Sequence, residues 1–275
     1  MRGILTDWIV TVHKTCRMLP ETLFIAVNLI DRFLSARAVI VSKLQLVGIT
    51  CLLIAAKYEE ICAPSIKNLV YLCQDSCTEK DIQDAEKYIL KTINWDLSYP
   101  TPITFLRRIS KADGFDAQSR TLAKYLVEIY CLEWRMLSHP PSVIAAAGMW
   151  LARLILDREE WVRRVFPPSV LHEILNEPQD ANLAHYSGYK EAELMPTASL
   201  MLNYLLKPVR HENFFNKYAS AKFAKASVVV RTWALERWEE GSVVDLEAES
   251  ERLKEESRER RLRALAEADG EGEEC

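Results

Sequence analysis

LQLVGITCLLIAAKYEE, residues 44–60, is apolar on nearly every side when wound at about 100° per residue. A surface helix shows one apolar stripe and a polar face, so this segment is predicted to be a central helix enclosed by others. Gly48, Ala55 and Ala56 would let those neighbours approach closely. On both sides the apolar residues keep helical spacing, with breaks at Leu19-Pro20, 36–42, Ala63-Pro64 and 75–78. Helices are therefore expected near 1–17, 21–35, 42–59, 65–73 and 78–94. Thr78, followed by Glu79 and Asp81, supplies an N-cap hydroxyl and first-turn carboxylates for the last of them.

SYPTP, residues 98–102, breaks the pattern with two prolines, each holding the residue before it extended, and reads as a linker. Helical spacing resumes at 103–112, 117–136, 142–156 and 191–206, with a last short helix near 211–224. The halves repeat loosely: Thr22-Leu23 answers Thr121-Leu122, and Ile54-Ala55-Ala56 answers Ile144 to Ala147. The fold class that follows is all-α, two tandem bundles of about five helices, each around a buried hairpin. Residues 1–99 form the first domain and 100–235 the second. Glutamate and arginine dominate 236–275, which reads as a solvated helix followed by disorder.

Composition narrows the function classes. The chain has 275 residues and a net charge of -4, so no global electrostatic term favours nucleic acid or anionic lipid. Seven cysteines without framework spacing, with no signal sequence and no uninterrupted apolar run of membrane-spanning length, read as a soluble intracellular chain with reduced thiols. Cys62, Cys73 and Cys77 fit no usual zinc pattern, so no metal is expected. A phosphate loop, a Gly-x-Ser-x-Gly elbow and a His-Glu-x-x-His pair are all missing from the sequence, and the expectation is a protein without catalysis or cofactor.

Two charges stand out. Glu86 falls within the apolar stripe of Ile82, Ile89, Leu90 and Ile93, and Lys57 follows Leu53 and Ile54 by one turn. An ion unpaired in apolar surroundings costs several kcal/mol, so each needs a partner. Either they pair with each other, or they sit in an apolar patch and offer spare hydrogen-bonding capacity to a second protein. On the first helix Met1, Ile4, Leu5, Trp8, Ile9 and Val12 span an arc somewhat wider than one buried face requires. That arc is either a plain core face or a face shared with a groove.

These blocks resemble a known family. MRGILTDWIV, LPETLFIAVNLIDRFLS, SKLQLVGITCLLIAAKYEE and CTEKDIQDAEKYILKTINWDLSYP are similar, in order, to the cyclin box. FLRRISKAD, PPSVIAAAGMWLAR, DANLAHYSGY, LMLNYLLKPVRHENFFNKYASAKFAKAS and VRTWALERW continue the likeness, most closely to B-type mitotic cyclins of fungi. The resemblance implies two cyclin boxes and an N-terminus missing from within the first box helix. It implies a regulatory subunit that binds and activates a cyclin-dependent kinase catalytic subunit at G2/M and helps select substrates, in nucleus and cytoplasm, without nucleic acid or membrane partners. Lys57 and Glu86 match the charged pair that holds the kinase's regulatory helix; Ile54, Tyr58, Glu60, Leu90, Trp95 and Leu97 match positions lining that interface. Met1, Ile4, Leu5, Trp8 and Gln45 match a groove for substrate and inhibitor docking motifs of the Arg-x-Leu type. Thr11 and Val41 stand where A-type members carry an acid and a base, and Gly3 replaces an alanine. Arg2 and Asp31 match an internal ion pair, and Leu46 a core leucine.

Residues 162–179 interrupt the resemblance between Trp161 and Asp180. They read as an insertion, either a natural surface loop or a translated intron. The readings from other classes are a cyclin-fold transcription factor, which would want a basic face and a zinc ribbon, and a helical scaffold without a kinase.

Overall fold

The computed structural model describes residues 1–74, 76–158 and 183–271; the insertion read at 162–179 lies outside them. Among the described residues the chain is helical and holds no strand. Five helices precede the linker: α1 (Arg2–Thr15), α2 (Pro20–Ala36), α3 (Leu44–Glu59), α4 (Ile66–Leu72) and α5 (Glu79–Thr92). After it come α6 (Pro102–Ala112), α7 (Ala117–Glu128), α8 (Pro141–Ile155), α9 (Leu183–Ser187), α10 (Glu191–Leu205), α11 (Glu212–Tyr218), α12 (Ala226–Leu235) and α13 (Leu246–Glu271). Two compact units result. The first holds Met1–Thr104 with Tyr130–Trp134 and Val209–Lys217; the second holds Phe105–Ile129, Arg135–Pro208 and the chain from Tyr218.

In the first unit α3 is central, packed by α1, α2 and α5. Every residue from Val47 to Ala56 is buried, as all-round apolarity requires. A Cβ on Gly48 would come within 2.9 Å of Leu5 Cδ1, so the missing side chain sets how closely α1 lies on α3. By composition Val41–Glu59 is also long and apolar enough to cross a bilayer, although Lys43, Gln45 and Lys57 interrupt its apolar run. Neighbours bury its middle, Val47 to Ala56, and a core helix passes the same test. Leu46 needs correction. It is half-buried, because the continuous core starts one residue later and α3 enters through a peripheral 3-10 turn at Val41–Lys43.

Local signals explain the helix ends. Pro20 occupies the first turn of α2, where a missing N–H costs nothing. Thr78 makes the expected capping box: its Oγ1 accepts from Asp81 N at 3.1 Å, and its own N–H donates to Asp81 Oδ2 at 2.9 Å. Thr78 Oγ1 also donates to Asp81 Oδ2 at 2.6 Å, and this bond, then the backbone one, holds the Asp81 carboxyl below its ordinary value.

In the second unit α7 packs on α8, repeating the α2 and α3 hairpin, and α10 covers α8. Gly148 repeats Gly48: a Cβ there would meet Val127 Cγ2 at 2.6 Å. The helix expected over 117–136 ends at Glu128. Ile129–Cys131 and Trp134–Ser138 follow as 3-10 turns. Val127, Ile129 and Tyr130, branched or aromatic side chains that lose rotamer freedom in a helix, mark the break. The helix expected over 211–224 stops at Tyr218, and Ala224 and Lys225 adopt left-handed backbone, with φ of 50° and 51°, before α12 begins. α12 was not expected as a helix, although its buried Ala226, Val230, Trp233 and Ala234 keep helical spacing. α13 is more than a solvated helix at its start, since Leu246 and Leu253 are buried where it lies on α10 and α8.

Candidate functional site

The end of α3 and the face of α5 carry the residues singled out in the sequence. Lys57 Nζ donates to both oxygens of Glu86, at 2.6 and 2.8 Å, so the two charges do pair with each other. The pair is not sealed. The Glu86 side chain is 16% exposed and that of Lys57 47%, which places the carboxylate in the wall and the ammonium at its rim. An ammonium has three donors and a carboxylate about four acceptor positions, so the pair keeps capacity for further hydrogen bonds. Lys57 also lies in the last turn of α3, where the helix dipole favours a cation.

Large apolar side chains border the pair in sequence without being buried. Tyr58 and Ile61 are exposed at the end of α3, and Leu90 and Leu97 are half-buried. Trp95 is 65% exposed. Asn94 and Trp95 both adopt left-handed backbone, φ 55° and 58°, a conformation that costs an asparagine little and a tryptophan more. The turn is closed by Trp95 N–H donating to Leu90 O at 2.9 Å, and Arg32 braces the next residue through Asp96 O at 2.8 Å. A strained backbone that holds an indole in water is unexplained by folding alone.

Two residues expected on this face do other work. Ile54 is 2% exposed and belongs to the core beneath it. Glu60 turns back to α2, its Oε1 accepting from Leu19 N at 2.6 Å and Thr22 Oγ1 at 2.5 Å, and so caps that helix. Ile61 and Tyr88 were missed. Tyr88 is exposed and stacks edge-on against Phe33 at 5.8 Å. Its signal was an aromatic on the polar side of α5, among lysines.

On α1 the wide arc divides. Leu5, Ile9 and Val12 are buried, Trp8 is half-buried, and Met1 and Ile4 are exposed, so the helix has both a core face and an open apolar strip. Gln45, expected beside that strip, is half-buried and accepts from Ser76 Oγ at 3.2 Å. Arg2 and Asp31 form a bidentate pair at 2.7 and 2.9 Å that ties α1 to α2. Gly3 lets His211 come in: a Cβ there would lie 2.5 Å from His211 Nε2. Among the described residues no cluster of three or more potential metal ligands occurs. Burial raises the Cys73 and Cys77 thiols, which keeps both protonated.

The Cyclin, N-terminal domain family matches residues 1–98 and the Cyclin, C-terminal domain family residues 100–232. The G2/mitotic-specific cyclin cdc13 of Schizosaccharomyces pombe is 53% identical over 233 residues, covering 85% of this chain and 45% of that protein. The G2/mitotic-specific cyclin-B of Emericella nidulans is 52% identical over 234 residues, with shares of 85% and 45%. Among solved structures, a viral cyclin from herpesvirus saimiri superposes with a TM-score of 0.58 at 19% identity, covering 73% of this chain and 82% of that one. A chain of the yeast RNA Pol II CTD kinase CTDK-1 complex gives 0.58 at 14% identity, with shares of 80% and 75%. The chain belongs to the cyclin family. Within it, the likeness is to the fungal G2/mitotic, B-type members, of which the chain spans about half the length.

Proposed function

We propose that this chain is the regulatory, non-catalytic subunit of a cyclin-dependent protein kinase, working at G2/M in nucleus and cytoplasm. The observation that carries the reading is the Lys57 and Glu86 pair, open to solvent and flanked in sequence by exposed Tyr58 and Trp95. It has the makings of a binding hot spot: charged groups with unused capacity beside large aromatics, poised to be desolvated by a partner. The partner is the catalytic subunit, whose regulatory helix would hydrogen-bond to Lys57 and Glu86. Binding turns that helix inward, so that its glutamate reaches the ATP-orienting lysine. The chain contributes position and no reacting group.

The strip of Met1, Ile4 and Trp8 on α1 is the second part of the proposal, a groove in which hydrophobic docking motifs of substrates and inhibitors rest. A pull-down with a cyclin-dependent kinase catalytic subunit, followed by a phosphate-transfer assay, tests the main reading. The chain alone should transfer no phosphate, and the mixture should transfer it faster than the kinase alone. Phosphate transfer by the purified chain, or a kinase indifferent to it, would contradict the proposal.

A further inference from the structure

Beyond the apolar strip, the C-terminal end of α1 opens into a cleft of about 410 Å³ whose lining includes Thr11, Lys14, Arg17, Asn213 and Asn216. No carboxylate lines it. Lys14 and Arg17 are both exposed, and among the described residues neither has an acidic partner within 4.0 Å. The buried carboxylate on this side of α1, Asp7, is already engaged: it accepts from Asn213 Nδ2 at 2.9 Å and from Phe214 N at 2.8 Å. The helix dipole accounts for a lysine in the last turn of α1, but not for Arg17. Arg17 lies past the helix in left-handed backbone, φ 54°, with its N–H on Lys14 O at 3.1 Å, and lines the same cleft. Two unpaired cations and two amides thus face one cavity.

Thr11 and Thr15, which line the cleft, share one face of α1 with the strip. At about 100° per residue Ile4, Trp8, Thr11 and Thr15 fall within an arc of about 60° on α1, and Lys14 borders it. Lys14 lies six residues beyond Trp8, a rise of about 9 Å along the axis. About three residues of extended peptide cover that distance. We propose that the Lys14 and Arg17 cleft is an anion subsite of the α1 groove, which takes an aspartate or glutamate side chain about three residues from the docking motif's hydrophobic residue. The preference for a basic residue that a groove acid would create is reversed here, because Thr11 carries no charge and the charged side chains that line the cleft, Lys14 and Arg17, are positive. This inference rests on the α1 strip being a docking groove.

The test uses the full chain and fluorescent peptides Xaa-Ala-Ala-Leu-Phe-Ala-Ala-Xaa, with Xaa as Asp, Ala or Arg, titrated by anisotropy. The Asp peptide should bind about 5- to 10-fold more tightly than the Arg peptide at about 0.05 M salt, and the gap should close towards about 0.5 M as the charges are screened. The double variant Lys14→Glu, Arg17→Glu, with its fold checked by circular dichroism, should reverse the order, and Lys67→Ala, at an exposed lysine of α4, should leave it unchanged. If the peptides bind but Arg equals or exceeds Asp, the subsite is overturned while the groove stands. If none of the three binds, the groove reading falls and this one falls with it.

Discussion

The two central helices, α3 and α8, are built alike and end differently. Both are apolar all round, both pack against a preceding antiparallel partner, and both use a glycine for close approach, Gly48 and Gly148. α8 ends in a charged residue too, Arg153, which pairs with Asp113. That pair is closed off: the side chains are 14% and 3% exposed, against 47% and 16% for Lys57 and Glu86. One architecture, used twice, carries a sealed ion pair in the second repeat and an open one in the first. A sealed pair serves its own bundle, whereas an open pair amid exposed aromatics has unused capacity, and the difference supports the proposal that binding belongs to the first repeat.

Substitutions at the two pairs should separate these roles. Asp113→Ala removes the carboxylate that faces the buried Arg153 guanidinium and is expected to destabilise the second repeat by about 3–5 kcal/mol, read from urea unfolding. Lys57→Ala, by contrast, should cost less than about 1 kcal/mol of stability, since one partner is half exposed. Equal losses at both sites would remove the distinction between sealed and open.

Trp95→Ala sharpens the comparison from the other side. It should weaken kinase binding by about 2 kcal/mol or more, as truncated aromatic anchors do, and leave the unfolding midpoint within error. Calorimetric titration of the variant into the catalytic subunit decides it; unaltered affinity would remove Trp95 from the interface. The glycines give a smaller contrast. Gly148→Ala meets the stiff Val127 side chain, and is expected to cost about 1–3 kcal/mol. Gly48→Ala meets the far end of Leu5, which can move, and should cost less.

The smallest effect concerns the start of α5. Thr78→Ala removes the cap and should cost about 1 kcal/mol. Because its Thr78 bonds hold the folded Asp81 pKa below the unfolded value, this contribution is full above about pH 4 and is lost as pH falls through the folded value. The gap between parent and variant should therefore narrow in acid, which pH-dependent unfolding measures directly.

Much of this was legible in the sequence because it depends on local patterns. The all-round apolarity of residues 44–56 announced a central helix, Thr78 with Asp81 announced a helix start, and Glu86 inside an apolar stripe announced a charge in need of a partner. What the sequence left open was which way the pair faced, since exposure is decided by neighbours far along the chain. For the same reason the resemblance that matched Ile54 and Glu60 to an interface did not show that one is buried and the other turned back to α2. Burial of the one and the hydrogen bonds of the other, to Leu19 and Thr22, come from tertiary packing of α2 on α3. The break after Glu128 was hidden because apolar spacing runs on through Ile129, Tyr130 and Leu132, while the backbone tightens into 3-10 turns.

The central claim is that the open pair on α3 and α5, and not the fold at large, binds the kinase. Equilibrium titration of the parent chain, Lys57→Ala and Glu86→Ala against a cyclin-dependent kinase catalytic subunit, with circular dichroism on each, tests it most directly. Both variants should keep the parent's helical content and lose about 2–4 kcal/mol of binding free energy, a fall of roughly 30- to 1000-fold in affinity. Binding as tight as the parent's in both variants would contradict the assignment.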